Sequence, residues 1–280
     1  MKILLMRPGN AVLFVLLWIM VFLSVAPFVF MVLGSFKSNH ELFTLTPSFF
    51  PQNGFNFDKY VALFEYWPFL RNLVNSLIVS SIVTVSVTVT SLFVGYSLAK
   101  FSFPGRAILT VVIISTLMVP FETRLVPTYV LFRNLGLINT YAGLVIPGLV
   151  TAFGIFMIRQ FAIDSVPDEL LEAARLDGAS EFQILHTIVA PVLAPALVSL
   201  ALLTFINSWN DFLWPLVAVA NSDMFTVSVA LRSLADPSNI ADYGMVLAAA
   251  VVSVIPVLTV FAIFNKQITT AVIQGAGRES

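Results

Sequence analysis

Hydrophobic residues in this chain come in long uninterrupted runs. They show neither the alternation of a half-buried strand nor the narrow stripe of a soluble amphipathic helix. Charge-free windows cover Ala11–Gly34, Val74–Ala99, Leu135–Ile158, Ile188–Asn210 and Gly244–Asn265. A helix that crosses a bilayer needs about 20 mostly apolar residues, so each window is long enough to span. A sixth window, Ala107–Phe121, is shorter and runs into Pro120, Glu122, Arg124 and Pro127. It predicts one span interrupted near its far end. Irregular backbone at membrane depth survives only against protein or a water-filled cavity, so this span either lines a pathway or ends early at the interface. The pattern therefore predicts an all-α integral membrane protein. A single transmembrane domain over 1–280 carries six transmembrane helices at about 11–34, 74–99, 107–128, 135–158, 188–216 and 244–265.

Composition agrees with the pattern. Hydrophobic residues make up 59% of the 280 and charged residues 10%, against about 25% charged in soluble domains. Mean hydropathy is +0.96. Both a soluble enzyme and a disordered chain are excluded. A formal net charge of -1 gives no overall basic field for nucleic acid. Cysteine is absent, and the two histidines, His40 and His186, are far apart in sequence, so no thiolate chemistry and no metal site is expected. No Gly-x-x-x-x-Gly-Lys phosphate loop occurs and no catalytic triad can be assembled. The chain is expected to have no catalytic residues and to bind no cofactor itself.

Lys2 and Arg7 precede the first span, which is too long for a signal-peptide core and has no small-x-small cleavage site after it. It reads as a retained anchor. Six spans put both termini on one side. Eight of the 14 basic residues fall on that side, a weak signal for cytoplasmic termini. The loop 35–71 is then external. It holds Pro47, Pro51, Gly54 and the aromatics Phe49, Phe50, Phe55, Phe57 and Tyr60, which suit a membrane interface. Ser80, Ser81, Thr84, Ser86, Thr88, Thr90 and Ser91 in the second span either pack helices or face a pathway.

The segment 162–190 is different in kind. Six of the 15 acids lie between Asp164 and Glu181, opposed only by Arg175. Ser165, Pro167 and Asp168 read as a capped helix start, and Gly178 after Asp177 reads as its stop. Ser180 with Gln183 forms a second capping box. Two short helices at an angle would project from the membrane, with Ala173 and Ala174 small enough to admit another protein and Glu172 offering it a carboxylate. An ordinary solvated loop is the alternative. In the fifth span Asn207, Trp209, Asn210 and Asp211 form the densest polar cluster, and Glu122 and Arg124 stand at the broken third span. Amides, a carboxylate and an aromatic ring suit a sugar. The same groups could instead tie helices together or seal a subunit interface.

Glu172-Ala173-Ala174, then Gly178, Ile188 and Pro191 at their spacing, resembles the EAA loop of permease subunits of ATP-binding-cassette importers. Nearly the whole chain is similar to the carbohydrate-uptake branch, the group of the second maltose permease subunit. Matching features are Gly34–Lys37, Asn72–Ser76, Phe101–Gly105, Pro120 and Pro127, Leu135–Leu137 and Ser208–Leu216; the tail Ile273–Arg278 departs from the branch pattern. The resemblance implies a type I importer core with a cytoplasmic coupling-helix loop at 162–190. Glu172, Ala173, Ala174, Asp177 and Gly178 would couple to the ATPase. It also implies a heterodimer with a related permease, two ATP-binding subunits that hold ATP and Mg, and an extracytoplasmic solute-binding protein. The chain would lie in the cytoplasmic (inner) membrane of a prokaryote, surrounded by lipid, with both termini cytoplasmic. The expected cargo is a sugar. Glycerol 3-phosphate or another polyol derivative is the alternative. An ion-coupled secondary transporter fits less well, because no paired intramembrane carboxylates or inverted repeats appear.

Overall fold

The structure, a computed structural model, describes residues 8–46, 48–236 and 242–276. Lys2, Arg7, Pro47, Gly277 and Arg278 lie outside the described residues. The regular elements are helical throughout the described residues. In chain order they are α1 (Pro8–Gly34), α2 (Asn39–Leu42), α3 (Asp58–Tyr66), α4 (Phe69–Lys100), α5 (Arg106–Ser115), α6 (Phe121–Asn134), α7 (Tyr141–Val145), α8 (Ala152–Ser165), α9 (Asp168–Leu176), α10 (Glu181–Ile184), α11 (Ala190–Val192), α12 (Ala194–Asn210), α13 (Leu213–Ala218), α14 (Val227–Leu234) and α15 (Tyr243–Ala276). Two compact units emerge. The described residues of 1–69 and 231–255 form one, and those of 70–230 and 256–280 form the other.

Three helical stretches are long and apolar enough to cross a bilayer alone: Val12–Gly34, Phe69–Lys100 and Tyr243–Phe264. Three further candidates are bent pairs: Arg106–Met118 with Phe121–Asn134 (98°), Tyr141–Gly148 with Ala152–Ser165 (41°), and Glu181–Val192 with Ala194–Asn210 (77°). The sequence predicts one broken span, and the structure bends two more. Proline is the common cause. Val119, ahead of Pro120, is extended at φ −89 and ψ 109, because the proline ring disfavours the helical region for its predecessor. Pro147 sits in the 3-10 turn Ile146–Gly148 before the second bend. Pro191 and Pro195 flank the break at Leu193 and remove two donors from the helical ladder. Threonines restart the second pair: Thr140 and Thr151 accept from the backbone N–H groups of Gly143 and Gly154 as N-caps.

In the first unit, α1 carries no charged residue, and its large side chains from Val12 to Phe30 are exposed. The chain then folds into a corner. Ser35 donates to the Val32 carbonyl and pairs with the Tyr60 hydroxyl, each at 2.7 Å. The Phe36 ring meets Phe55, Phe57 and Tyr60 with centroids 5.2, 5.3 and 5.6 Å away. Lys37 is buried and donates to the Ser48 carbonyl. Lys59 pairs with Asp242, and the Tyr243 amide donates to Asn39 Oδ1 at 2.8 Å.

In the second unit, α4 and α8 approach closely. A Cβ on Gly95 would lie 2.9 Å from the Arg159 nitrogen, and one on Gly154 would lie 2.4 Å from Ser91 Oγ. Small residues give helices in lipid this proximity. Ser86 donates across to the Leu149 carbonyl at 2.9 Å, whereas Thr88 and Thr90 donate back to the Thr84 and Ser86 carbonyls. The polar run on α4 is thus spent at least partly on packing.

The start of α4 holds a clamp. Asn72 Nδ2 donates to the carbonyls of Ser222 and Phe225 at 2.8 and 3.1 Å. Asn75 Nδ2 donates to those of Asp223 and Phe225 at 2.8 and 3.0 Å. Ser76 Oγ accepts from the Val227 amide at 2.7 Å. All three side chains are buried, and they satisfy the irregular backbone between α13 and α14. Asn75→Ala should lower stability by about 1–3 kcal/mol, since it removes the Asp223 carbonyl's side-chain donor and leaves Phe225 with Asn72 alone. A thermal melt in detergent reads this, and an unchanged midpoint would refute the clamp.

Candidate functional site

The hairpin at 162–190 and a cavity beside α12 both belong to the second unit. Ser165, expected as an N-cap, is instead the last residue of α8, and Pro167 occupies the N-cap position of α9 without a side-chain bond. The cause is again the residue before proline: Val166 is extended at φ −107 and ψ 106, so helix resumes only at Asp168. Asp168 is engaged elsewhere, 2.8 Å from Lys100 Nζ at the end of α4.

Helix α9 is two-faced. Leu171 is buried and Ala174 packs on the core, while Glu172, Ala173 and Leu176 are exposed. The stop is as expected. Gly178 adopts φ +82, which a Cβ would oppose. The Gly178 amide donates to the Arg175 carbonyl and that of Ala179 to the Ala174 carbonyl, both at 3.0 Å, which is a Schellman closure. The exposed Asp177 is the C-cap, its amide donating to the Ala173 carbonyl. Ser180 and Gln183 form the reciprocal capping box that opens α10. Arg175 bridges the two helices, with Nε 2.6 Å and a terminal nitrogen 3.4 Å from the Glu181 carboxylate oxygens. That bond raises the Arg175 pKa above its ordinary value. Glu172 makes no hydrogen bond or ion pair among the described residues. Leu176 and Phe182 are 89% and 67% exposed and were not singled out from sequence. Two large apolar residues in an acidic stretch were the available signal.

The hairpin continues through a π turn at Leu185–Val189 and α11 into α12. Beside α12 lies a cavity of about 630 Å³ walled by Val79, Val83, Leu144, Leu200, Leu203 and Trp214, with Thr151, Thr204, Asn207, Ser208 and Asp211 as polar members. Its lining contains no Lys or Arg. Asp211 ends α12, and its carboxylate interacts with the backbone amides of Phe212, Leu213 and Trp214 at the head of α13. Trp214 donates from Nε1 to the Gly143 carbonyl at 2.9 Å.

Of the five residues proposed for a solute path, Asn207 and Asp211 line the cavity and three do not. Trp209 is 3% exposed and stacks on Phe205 at 5.8 Å, so it has no free ring face in this chain. Asn210 donates to its own helix at the Ile206 carbonyl, 2.9 Å away. Glu122 is exposed in the first turn of α6, and its neighbour Phe121 reaches the cavity instead. Helical spacing explains the split: 207 and 211 share a face, and 209 lies across the axis. Trp214 lines the cavity but is itself 2% exposed, its ring packed edge-on against Phe132 at 5.3 Å.

Residues 88–274 match the family described as binding-protein-dependent transport system inner membrane component. The chain belongs to this family. Within it, the chain is 34% identical over 251 residues to the arabinooligosaccharides transport system permease protein AraQ of Halalkalibacterium halodurans, covering 88% of each. The AraQ of Bacillus subtilis is 35% identical over 242 residues, 86% of this chain and 85% of that one. The sn-glycerol-3-phosphate transport system permease protein UgpE of Yersinia pestis is 35% identical over 200 residues, 71% of each. Among solved structures, a bacterial ABC transporter involved in the import of the acidic polysaccharide alginate matches with TM-score 0.82 and 25% identity, over 92% of this chain and 95% of that one. The protein is thus a membrane permease component of the type I ABC importer fold, and its bent spans belong to that fold.

The hairpin's geometry gives a direct expectation. Gly178→Val places a β-branched side chain at positive φ, costing about 1–3 kcal/mol locally. Amide hydrogen exchange should accelerate over residues 174–183 and stay unchanged in α4. Equal protection in the variant would remove Gly178 as the determinant of the turn.

Proposed function

We propose that this chain is one permease subunit of an ATP-driven importer that moves a sugar, a mono- or oligosaccharide, inward across the cytoplasmic membrane of a prokaryote. The observation that carries the cargo class is the cavity. Hydroxyls of Thr151, Thr204 and Ser208, the Asn207 amide and the Asp211 carboxylate stand beside the Trp214 ring with no cation among them. That chemistry suits a neutral polyhydroxylated solute: acceptors and donors for hydroxyls and an apolar face for the ring carbons. The AraQ relatives are named for arabinooligosaccharides.

In this reading both termini and the 162–190 loop are cytoplasmic and 35–71 is external. The partners are a related permease, two ATP-binding subunits that hold ATP and Mg, and an extracytoplasmic solute-binding protein. This chain holds no cofactor and hydrolyses nothing. Glu172, Ala173, Ala174, Asp177 and Gly178 form the coupling surface, with Leu176 and Phe182 as its apolar contacts. Ala174 acts from beneath, packed on the core. Two ties make the hairpin a lever. Lys100–Asp168 fixes α9 to the end of α4. The other tie is the continuous run from α10 through the π turn to α12, which bears Asn207 and Asp211. Movement imposed on the hairpin is delivered to the cavity wall.

The UgpE relatives favour a second cargo, glycerol 3-phosphate. A phosphate dianion calls for Arg or Lys in its site, and this lining offers neither. The two cargoes separate in one assay. In the assembled complex, binding protein loaded with sugar should stimulate ATP hydrolysis, and glycerol 3-phosphate should not; the reverse result would exchange the readings.

The coupling surface has its own test. Glu172→Lys should reduce stimulated hydrolysis by roughly tenfold or more, as expected when one side of a buried charge pair is inverted. Reversing the facing cation of the ATPase should restore part of it. A Glu172→Lys complex with normal assembly and normal stimulation would exclude Glu172 from coupling.

For the pathway, Asp211→Asn keeps a side chain that can still cap α13, so the fold should persist. Transport per assembled complex should fall, because the amide presents donors where the carboxylate accepted from hydroxyls. Normal transport per complex in both Asp211→Asn and Asn207→Ala would remove this wall from the path.

A further inference from the structure

A second cavity, of about 660 Å³, lies where the start of α5 packs against α8, and nothing in the transport reading uses it. Its polar lining is Arg106, Arg159, Ser102 and Thr110, and its apolar lining includes Phe103 and Ile108. Five cations of the described residues have a carboxylate partner: Lys59, Arg71, Lys100, Arg175 and Arg232. The two arginines here do not. Arg106 spends one terminal nitrogen on the Phe101 carbonyl at 3.0 Å. Arg159 has no hydrogen bond or ion pair among the described residues, and its Nε is shut off from solvent without a partner. Both residues are half-buried. The Arg159 backbone packs against Gly95 of α4, and Arg106 is the first residue of α5. Two half-buried guanidinium groups line one cavity without a carboxylate partner, and an anion would supply the counter-charge.

Three observations identify the anion's class. Guanidinium pairs match the oxygens of a phosphate group. The cavity opens at the foot of an apolar helix whose Ile108, Leu109, Val111 and Val112 are exposed, so a ligand with acyl chains would continue along it. The end of α4, the start of α5 and the end of α8 lie together with the root of the 162–190 hairpin, so the cavity sits at one edge of the membrane-crossing region, at headgroup level. Basic pockets between membrane helices bind anionic headgroups in this setting.

We propose that Arg106 and Arg159 bind the phosphodiester of an anionic membrane phospholipid, with its acyl chains lying against α5. The proposed orientation of the hairpin assigns the lipid to the cytoplasmic leaflet; binding itself does not depend on that orientation or on the cargo. The bound lipid supplies the missing counter-charge beside the joint between α4, α8 and the hairpin.

The test uses the purified full complex, delipidated in neutral detergent, with short-chain phosphatidylglycerol as the probe and native mass spectrometry as the readout. Phosphatidylglycerol should bind saturably, and phosphatidylcholine of equal chain length should bind more weakly. Inorganic phosphate at the same concentration should not displace it. Arg106→Gln and Arg159→Gln should each weaken phosphatidylglycerol binding roughly fivefold, the value of one surface charge toward an anionic lipid. Arg159→Lys should retain most of it. Equal binding of the two lipids by the unaltered complex overturns the proposal without any variant, and so does full displacement by inorganic phosphate, which would mark a free-anion site. Lipid binding by the permease pair that disappears when the ATP-binding subunits are added would assign the two arginines to a protein carboxylate and equally overturn it. Loss of sugar-stimulated hydrolysis bears on the transport reading alone, since the lipid measurement has no solute in it.

Discussion

A backbone amide or carbonyl at membrane depth has no water to turn to, so every departure from straight helix must be satisfied by protein. That constraint organises this chain. Proline bends three of its candidate spans, and each bend leaves backbone groups that some other residue has to meet. Thr151 meets one of them as a cap at the second bend. The same demand holds outside the bends: Thr140 caps the start of α7, and Asn72, Asn75 and Ser76 meet four backbone groups between α13 and α14. Several polar residues of the second unit are therefore committed to backbone where helices begin or break.

The same bends make the cavity. A straight bundle of Leu and Val helices would close on itself. Here the 77° break at Leu193 turns α12 away from the π turn that precedes it, and the end of α12 is followed at once by α13. Asp211 stands at that second corner, where its carboxylate serves the amides of α13 and still faces the cavity. Structural and cavity-lining positions fall on one residue because the corner is where the backbone needs an acceptor and where the packing opens.

The sequence was informative where a signal is local. Length and apolarity located all six candidate spans, since a bilayer imposes a fixed length. Gly178 and the Ser180–Gln183 box were legible because caps are written in four or five adjacent residues. Ser165 was misread for an equally local reason: the effect of Pro167 on Val166 outweighs the capping pattern. What the sequence leaves open concerns direction. Trp209 and Asn210 belong to the same polar cluster as Asn207 and Asp211, but which face of α12 meets the cavity depends on neighbours up to 130 residues away in the chain, such as Val79. The two extra bends were missed because windows chosen for the absence of charge take no account of proline.

Charge bookkeeping separates the two ends of this design. Two ion pairs form at the hairpin: Arg175 with Glu181 inside it, and Asp168 with Lys100 at the end of α4. Those pairs hold its shape and leave Glu169, Glu172 and Asp177 as outward carboxylates without an ion pair among the described residues. A short distance along α8 the imbalance has the opposite sign, with Arg106 and Arg159 lacking carboxylates. The half-buried bases at the hairpin's root lack counter-charge in the chain alone, whereas the exposed Glu172 is solvated and lies within the field of Arg175. For Glu172 a basic protein partner fits, because the acid is exposed and flanked by Ala173 and Leu176. The arginines suit a lipid phosphate, because their cavity opens onto an apolar helix. In the proposed assembly the exposed acid therefore faces a protein and the half-buried bases face lipid, a division that follows from their sign and setting.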